Sequence, residues 1–144
     1  MSEIGTTAVS GPLAEAEEIS VGGFNKYVGP LYRLSDGADG AKRYAFAVTE
    51  KHMNAGGTVH GGMLMGFADV SMSRTARLVI ASRSCSTVSL TCDFLAAGKL
   101  TDVIESRVRV TRSTRTLVFM SAEIVTEERL LLTASGVWKM HLRK

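Results

Sequence analysis

From Gly61 to about Ile80, apolar side chains (Met63, Leu64, Met65, Phe67, Ala68, Val70, Met72, Ala76, Leu78, Val79) cover most of a helical circumference. A helix apolar nearly all round is a buried one. Arg74 and Arg77 come late in it, where cations suit the negative end of the dipole. Outside this stretch the period shortens to two, that of half-buried strands. Tyr44, Phe46 and Val48 alternate with small or polar residues, and four further runs follow the helix. Val88, Leu90, Cys92 and Phe94 share one face, with Thr87, Ser89, Thr91 and Asp93 on the other. Ile104, Val108 and Val110 oppose Glu105, Arg107 and Arg109. Thr116 to Val125 is the third run, and Thr126 to Arg129 its hairpin loop. In the last, Leu130, Leu132, Ala134, Gly136, Trp138 and Met140 oppose Thr133, Ser135, Lys139 and His141. Short loops between the runs predict an antiparallel meander. One buried helix against one antiparallel sheet is an α+β domain.

Residues 1–18, small, polar and acidic with Pro12, read as a poorly ordered arm. The single domain then spans 19–144. Gly22 to Pro30 reads as a short helical turn or loop packed onto the body, leading into a strand near Leu31–Leu34. Ser35 to Gly40 is a turn. There is no internal repeat.

At 144 residues the chain closes a core without staples. No apolar run reaches the roughly 18–20 residues that span a bilayer, and Met-Ser-Glu-Ile-Gly lacks the pattern of a secretory signal. Cys85 and Cys92 lie too far apart along one strand to bridge. A reducing, cytoplasmic location is the default. Residues 1–20 hold four acids and no base, so the remaining chain carries 17 basic against 10 acidic side chains, a net +7. Such a body suits a polyanionic ligand, or is simply a solvated surface. Nucleic acid is not favoured, because aromatics are few and the basic residues are spread along strands.

Chemistry concentrates in one segment, His52-Met-Asn54-Ala-Gly56-Gly57-Thr-Val-His60-Gly61-Gly62, which opens directly into the helix. From Lys51 to Cys92 the only acidic residue is Asp69. A carboxylate in an apolar segment has a partner or a job, since desolvating its charge is expensive. The glycine pairs allow close backbone approach, and the amides of a helix start suit an anion or a developing oxyanion. The spacing matches neither a dinucleotide fingerprint nor a P-loop. Asn54 can fix a water or the loop; His60 can orient, donate or ligate. His52, His60 and Asp69 lack metal-binding spacing, so no metal is expected. Neither a serine nor a cysteine nucleophile is indicated.

Asp69 lies eight residues after Gly61, about 12 Å along a helix. A reacting atom must sit about 3 Å from both the oxyanion donor and the acid or base. If these groups cooperate, two chains must supply them, one giving Gly61 and its twofold mate Asp69.

The arrangement Asn54-x-x-Gly-x-x-His60-Gly61-Gly62 followed by Asp69 resembles the hotdog-fold acyl-CoA thioesterases of the PaaI-like group. The similarity runs from about Phe24 to His141 and includes Val28-Gly29-Pro30-Leu31 and Ala134-x-Gly136-x-Trp138. The resemblance implies a sheet wrapped around one long buried helix, and a homodimer or a homotetramer built as a dimer of dimers. It implies active sites at the subunit boundary, an acyl-CoA substrate and no cofactor. By position, Asp69 resembles the catalytic carboxylate, as nucleophile or general base. Gly61 resembles the backbone donor to the thioester oxygen, with Gly62 beside it on the substrate, while His60 and Asn54 place substrate or water. Thr87 matches the hydroxyl that helps hold the attacking water. The stretch Arg112 to Thr116 resembles the lining of the pantetheine and nucleotide approach. Arg112, Arg115 and Arg83 are expected on the coenzyme phosphates, for which Arg offers forked donors, and Thr116 lies beside them. The chain departs from the group at Thr114, where glycine is common, and at Ala96-Ala97, where proline is common. Two alternatives share the fold: a hydratase or dehydratase with His60 as base, and a non-catalytic acyl-CoA-binding module in which Asp69 is a buried polar contact.

Overall fold

The computed structural model describes residues 13–14, 16–82, 84–127 and 129–142. Seven strands form one antiparallel sheet: β1 (Glu17–Glu18), β2 (Tyr32–Arg33), β3 (Lys42–Ala47), β4 (Cys85–Phe94), β5 (Val103–Ser113), β6 (Leu117–Thr126) and β7 (Arg129–Met140). A short helix, α1 (Gly23–Val28), precedes β2, and a 3-10 turn covers Glu50–His52. The long helix α2 (Gly61–Ile80) has the bounds its apolar pattern predicts.

The strand order is β1-β2-β3-β5-β6-β7-β4. Strands β5 to β7 make the expected meander. β4 departs from it, pairing with β7 at the far edge although it precedes β5 in sequence. The twenty-residue helix is about 30 Å long, so it carries the chain across the sheet and the next strand starts at the opposite edge.

One face of α2 is buried against the sheet through Met63, Leu64, Phe67, Ala68, Ser71, Met72, Thr75 and Ala76, a stripe at helical spacing. Tyr44, Phe46, Ile104, Val108, Met120, Ile124, Leu132 and Trp138 meet it from the strands. The other face is not covered: Met65, Leu78 and Val79 are exposed. A helix expected to be buried all round is thus buried on one side within a single chain, because one sheet covers one face. The buried hydroxyls are satisfied. Ser71 donates to the Phe67 carbonyl at 2.8 Å and Thr75 to that of Ser71 at 2.9 Å, the back-bonding that lets such residues sit mid-helix. Ser106 donates to Ser71 Oγ at 2.7 Å, and Tyr44 and Thr75 hydroxyls lie 2.9 Å apart.

Two irregularities change which residues face the helix. A bulge between Thr87 and Ser89 shifts the β4–β7 register. A second, between Ile124 and Val125, shifts β6 against β7. Leu131 is consequently fully buried while Leu130, expected on the inner face, is exposed.

Of the expected N-terminal arm, residues 1–12 and 15 lie outside the described residues. Its remainder is engaged: Leu13 is buried with Tyr32, Leu34 and Ala45 on the sheet's outer face, and Glu17–Glu18 pairs with β2. No helix among the described residues is long and apolar enough to cross a membrane.

Candidate active site

The loop before α2 is built from its own polar groups. Asn54 Oδ1 accepts from the amides of Gly56 (2.9 Å) and Thr58 (3.0 Å), and Nδ2 donates to Thr58 Oγ1 at 2.9 Å. Of the two sequence readings of Asn54, water or loop, these bonds are the loop's. His52 is buried and equally committed: Nδ1 accepts from Thr49 N–H at 3.0 Å and Nε2 lies 2.6 Å from the Val28 carbonyl. Burial pushes its pKa down. Both ring nitrogens are thus used, Nδ1 in closing the 3-10 turn onto Thr49 and Nε2 in tying it to α1.

His60 is the N-cap of α2 and is exposed. Its Nδ1 accepts from Gly62 N–H at 2.8 Å, and its carbonyl accepts from Met63 (2.9 Å) and Leu64 (3.3 Å). The Leu64 bond is the first regular one of the helix. With His60 N–H donating to the His52 carbonyl at 2.8 Å, the N–H groups of His60, Gly62 and Met63 are satisfied, three of the four donors a helix start leaves open. The fourth, Gly61 N–H, meets no acceptor among the described residues. The position is tight, since a Cβ on Gly61 would lie 3.1 Å from the Phe94 ring, which would have to shift slightly. With Nδ1 accepting, neutral His60 carries its proton on Nε2.

Asp69 lies two turns further along α2, partly buried. Three donors from three elements converge on one of its oxygens. Thr87 Oγ1 on β4 donates to Oδ1 at 2.7 Å, Trp138 Nε1 on β7 at 3.3 Å, and Ser73 Oγ, one helical turn away, at 3.4 Å. Trp138 Nε1 also donates to Ser73 Oγ at 2.9 Å. None of the described residues donates to Oδ2. The result is a carboxylate anchored by one oxygen and open at the other, suited to take a proton or attack an electrophilic carbon.

Thr87 reaches Asp69 because of the β4 bulge. Strict alternation sets Thr87 opposite Leu90 and Cys92, yet Leu90 and Cys92 pack on the core while Thr87 touches the helix. The extra residue, Val88, changes the phase, so both sets point inward. Bulges commonly re-aim side chains in this way. Ser73 and Trp138 were not among the residues the sequence put at the site. The pattern places Trp138 on the apolar face; the partner of its indole N–H depends on strand order, which the pattern does not carry. A hint exists in Gly136. A Cβ there would lie 2.4 Å from the Ser89 carbonyl and 2.8 Å from the Trp138 ring, so only glycine leaves room for that indole.

The basic segment is separate from Asp69. Arg112 and Arg115 are exposed, and Thr116 gives its carbonyl to Met140 N–H at 2.7 Å. Ser113 shares a row with Val118, Trp138 and Thr87 across four strands, so the 112–116 hairpin stands about 14 Å from Thr87 at roughly 4.8 Å per strand. Arg83 lies outside the described residues. Cys85 and Cys92 are free thiols on β4, and burial pushes both pKa values up, which keeps them protonated and poorly nucleophilic. A cleft of about 340 Å³ lined by Leu34, Ala45, Val103 and Val125, and also by Glu105, Arg107, Thr126 and Glu127, lies on the sheet's outer face, away from Asp69.

Residues 56–133 match the family model described as "Thioesterase superfamily". The chain belongs to the thioesterase superfamily. A Pseudomonas aeruginosa protein named as a putative esterase is 34% identical over 117 residues, covering 78% of this chain and 84% of its own length. Among solved structures, the PaaI protein of the E. coli phenylacetic acid degradation operon superposes with a TM-score of 0.71 at 19% identity, over 81% of this chain and 83% of that one. A hypothetical thioesterase protein with coenzyme A from Streptococcus pneumoniae superposes with a TM-score of 0.62 at 23% identity, over 72% and 83%. The fold is therefore that of PaaI, the hotdog fold, and the enzyme is a thioesterase.

Proposed function

We propose that this thioesterase hydrolyses acyl-CoA to free acid and CoA at sites shared by two copies of the chain, without metal or redox cofactor. The observation that carries the reading is the pair of unspent valences on one helix: Asp69 Oδ2, left open while three donors hold Oδ1, and Gly61 N–H. Acyl transfer to water needs both an activated nucleophile and an oxyanion donor.

As general base, Oδ2 takes a proton from water, and the water oxygen attacks the thioester carbonyl carbon. As nucleophile, Oδ2 attacks that carbon itself, giving a mixed anhydride that water then opens. On either route charge gathers on the carbonyl oxygen, where one backbone donor contributes about 3 kcal/mol. The C–S bond then breaks, sulfur leaves with the bonding pair, and the thiolate takes a proton. Arg112 and Arg115 are assigned to the coenzyme phosphates and Thr116 to the approach. Binding of coenzyme A by the S. pneumoniae relative supports this substrate class.

The edge strand supports a shared site. β4 ends the sheet, and Val88, Phe94 and Leu95 along it are exposed, a template for pairing with another chain. Thr87 contacts Asp69, and the Phe94 ring lies against Gly61. Antiparallel pairing of β4 with its twin about an axis at Thr91, with Val88 bulged out of the register, sets Thr87 opposite Phe94 of the partner subunit, both on the helix-facing side. Asp69 then meets Gly61 of the partner subunit. The hydratase alternative loses ground, because His60 Nδ1 is occupied by Gly62 N–H and the neutral ring offers a donor, not a base, at Nε2.

Thiol release over a panel of short, long and aromatic acyl-CoA substrates tests the activity. Mixing Asp69→Asn with a Gly61→Val variant tests the sharing. Each variant alone is expected at background. Random subunit exchange leaves one intact composite site in each mixed dimer and restores about a quarter of wild-type activity. Demonstrated exchange without recovered activity means that Asp69 serves its own chain or is structural.

A further inference from the structure

We infer that Trp138 is a positioning residue: its indole N–H, acting with Ser73, locks the Asp69 carboxylate in the orientation that presents Oδ2. The inference rests on the catalytic reading of Asp69 and extends it to two residues to which the sequence assigns no role in the site.

Trp138 is fully buried on β7, and an indole carries one donor and no acceptor. Left without a partner, that buried N–H is costly. Here it is shared, 2.9 Å to Ser73 Oγ and 3.3 Å to Asp69 Oδ1. Ser73 passes the interaction on, since its hydroxyl receives the indole proton and turns its own toward Oδ1 at 3.4 Å. A side chain four residues along a helix sits beside its neighbour on the same face, which places Ser73 there. Thr87, paired with Trp138 across β4 and β7, supplies the third donor at 2.7 Å.

This geometry differs from ordinary satisfaction of a half-buried carboxylate. Three donors on one oxygen and none on the other fix the torsion of the carboxylate and direct it. Oδ1 is saturated, so substrate or water is met by Oδ2 alone. The sheet is shaped for the arrangement: only glycine at 136 leaves space for the indole, because a Cβ would strike the Ser89 backbone at 2.4 Å and the ring at 2.8 Å. The motif Ala134-x-Gly136-x-Trp138 thereby acquires a physical reason in the site.

The chain contains a single tryptophan, so its emission reports on Asp69 without labelling. Trp138→Phe keeps a ring and removes the N–H; Ser73→Ala removes the relay with almost no change in packing. Each is expected to lower kcat about tenfold, the worth of a hydrogen bond to a charged group, with KM changed less than twofold. The double variant is expected to lose little more than either single one, because both act through the same oxygen. Trp138 emission is expected to differ from wild type in both Asp69→Asn and Ser73→Ala. If Trp138→Phe fails to fold, Ser73→Ala carries the kinetic test and the emission of Asp69→Asn the structural one. Wild-type kcat in Ser73→Ala, or losses that multiply in the double variant alongside a raised KM, overturns the positioning role. Asp69→Asn separates the two readings. An active Asp69→Asn removes the catalytic assignment itself, whereas an inactive Asp69→Asn with fully active Ser73→Ala removes this inference alone.

Discussion

The loop from Asn54 to His60 and the middle of α2 around Asp69 use polar groups in opposite ways. In the loop nearly every polar side chain is spent on the loop: Asn54 closes it onto Gly56 and Thr58, His52 fastens it to Thr49 and Val28, and His60 caps the helix through Gly62. What remains at the helix start is the backbone N–H of Gly61. Around Asp69 the polar groups are spent on a side chain, and what remains is one carboxylate oxygen. The loop resembles a motif of catalytic side chains, yet its histidines and asparagine make hydrogen bonds within the loop and to its neighbours. The Phe94 ring stands close over Gly61, 3.1 Å from where a Cβ would lie. On the proposed reading the two regions supply complementary halves of acyl-transfer chemistry, a donor for the oxyanion and an acceptor for the proton.

The largest expected effect that tests this contrast comes from Thr87. Thr87→Val keeps the shape and removes the shortest of the three hydrogen bonds to Oδ1, 2.7 Å. A hydrogen bond to a charged group contributes about 1.5–3 kcal/mol. Steady-state kinetics with an acyl-CoA that turns over should show kcat falling about tenfold to hundredfold, with KM little changed, and Thr87→Ser restoring most of it. A change confined to KM would instead put Thr87 on the substrate and leave the carboxylate anchored by Trp138 and Ser73.

The parts of the molecule that were legible beforehand share one property: they depend on local sequence. The bounds of α2 follow from a glycine pair at its start and sustained apolar spacing to Ile80. Asp69 stands out as the lone acid in an apolar stretch, and the structure holds it partly buried on α2 with three donors on one oxygen. The illegible parts depend on which strands meet. The helix carries β4 to the far side of β7, and nothing in residues 85–94 marks that edge. The bulge at Thr87–Ser89 has no glycine to signal it, so alternation put Thr87 on the wrong face relative to Leu90. The register shift at Ile124–Val125 exchanged Leu130 for Leu131 in the core in the same manner. Trp138 looked like plain core because its partners, Ser73 and Asp69, lie on an element far away in sequence.

A smaller effect is expected at His60, where the loop side of the contrast is tested. His60→Ala removes the acceptor for Gly62 N–H and with it the N-cap of α2. Loss of a capping side chain costs about 1 kcal/mol, which for a domain of this size lowers Tm by roughly 2–5 °C. His60→Asn supplies a good cap and should recover that stability by thermal denaturation. If the histidine only frames Gly61, kcat should recover along with Tm. Recovery of Tm with kcat still depressed would show that Nε2–H reaches the substrate, and the loop would then hold a catalytic side chain after all.

The smallest effect is expected from His52, which belongs wholly to the loop's frame. It is 2% exposed, and burial holds its pKa below the usual value, which is about 6.5 in the unfolded chain. As pH falls through about 6.5 the unfolded chain takes up a proton that the folded ring refuses. The unfolded state then binds more protons, so stability rises with pH across that window and falls on acidification. The contribution is fully present above pH about 6.5 and is lost progressively below it, until the folded ring itself protonates. His52→Gln removes the titration and keeps a side chain that can bond to the Val28 carbonyl. The difference in Tm between wild type and His52→Gln should therefore be greatest near pH 8 and shrink toward pH about 5, as carboxylate titrations common to both cancel. A constant difference across that range would mean that the imidazole is not held neutral by its burial. The frame around Gly61 would then have to rest on Asn54 and His60 alone.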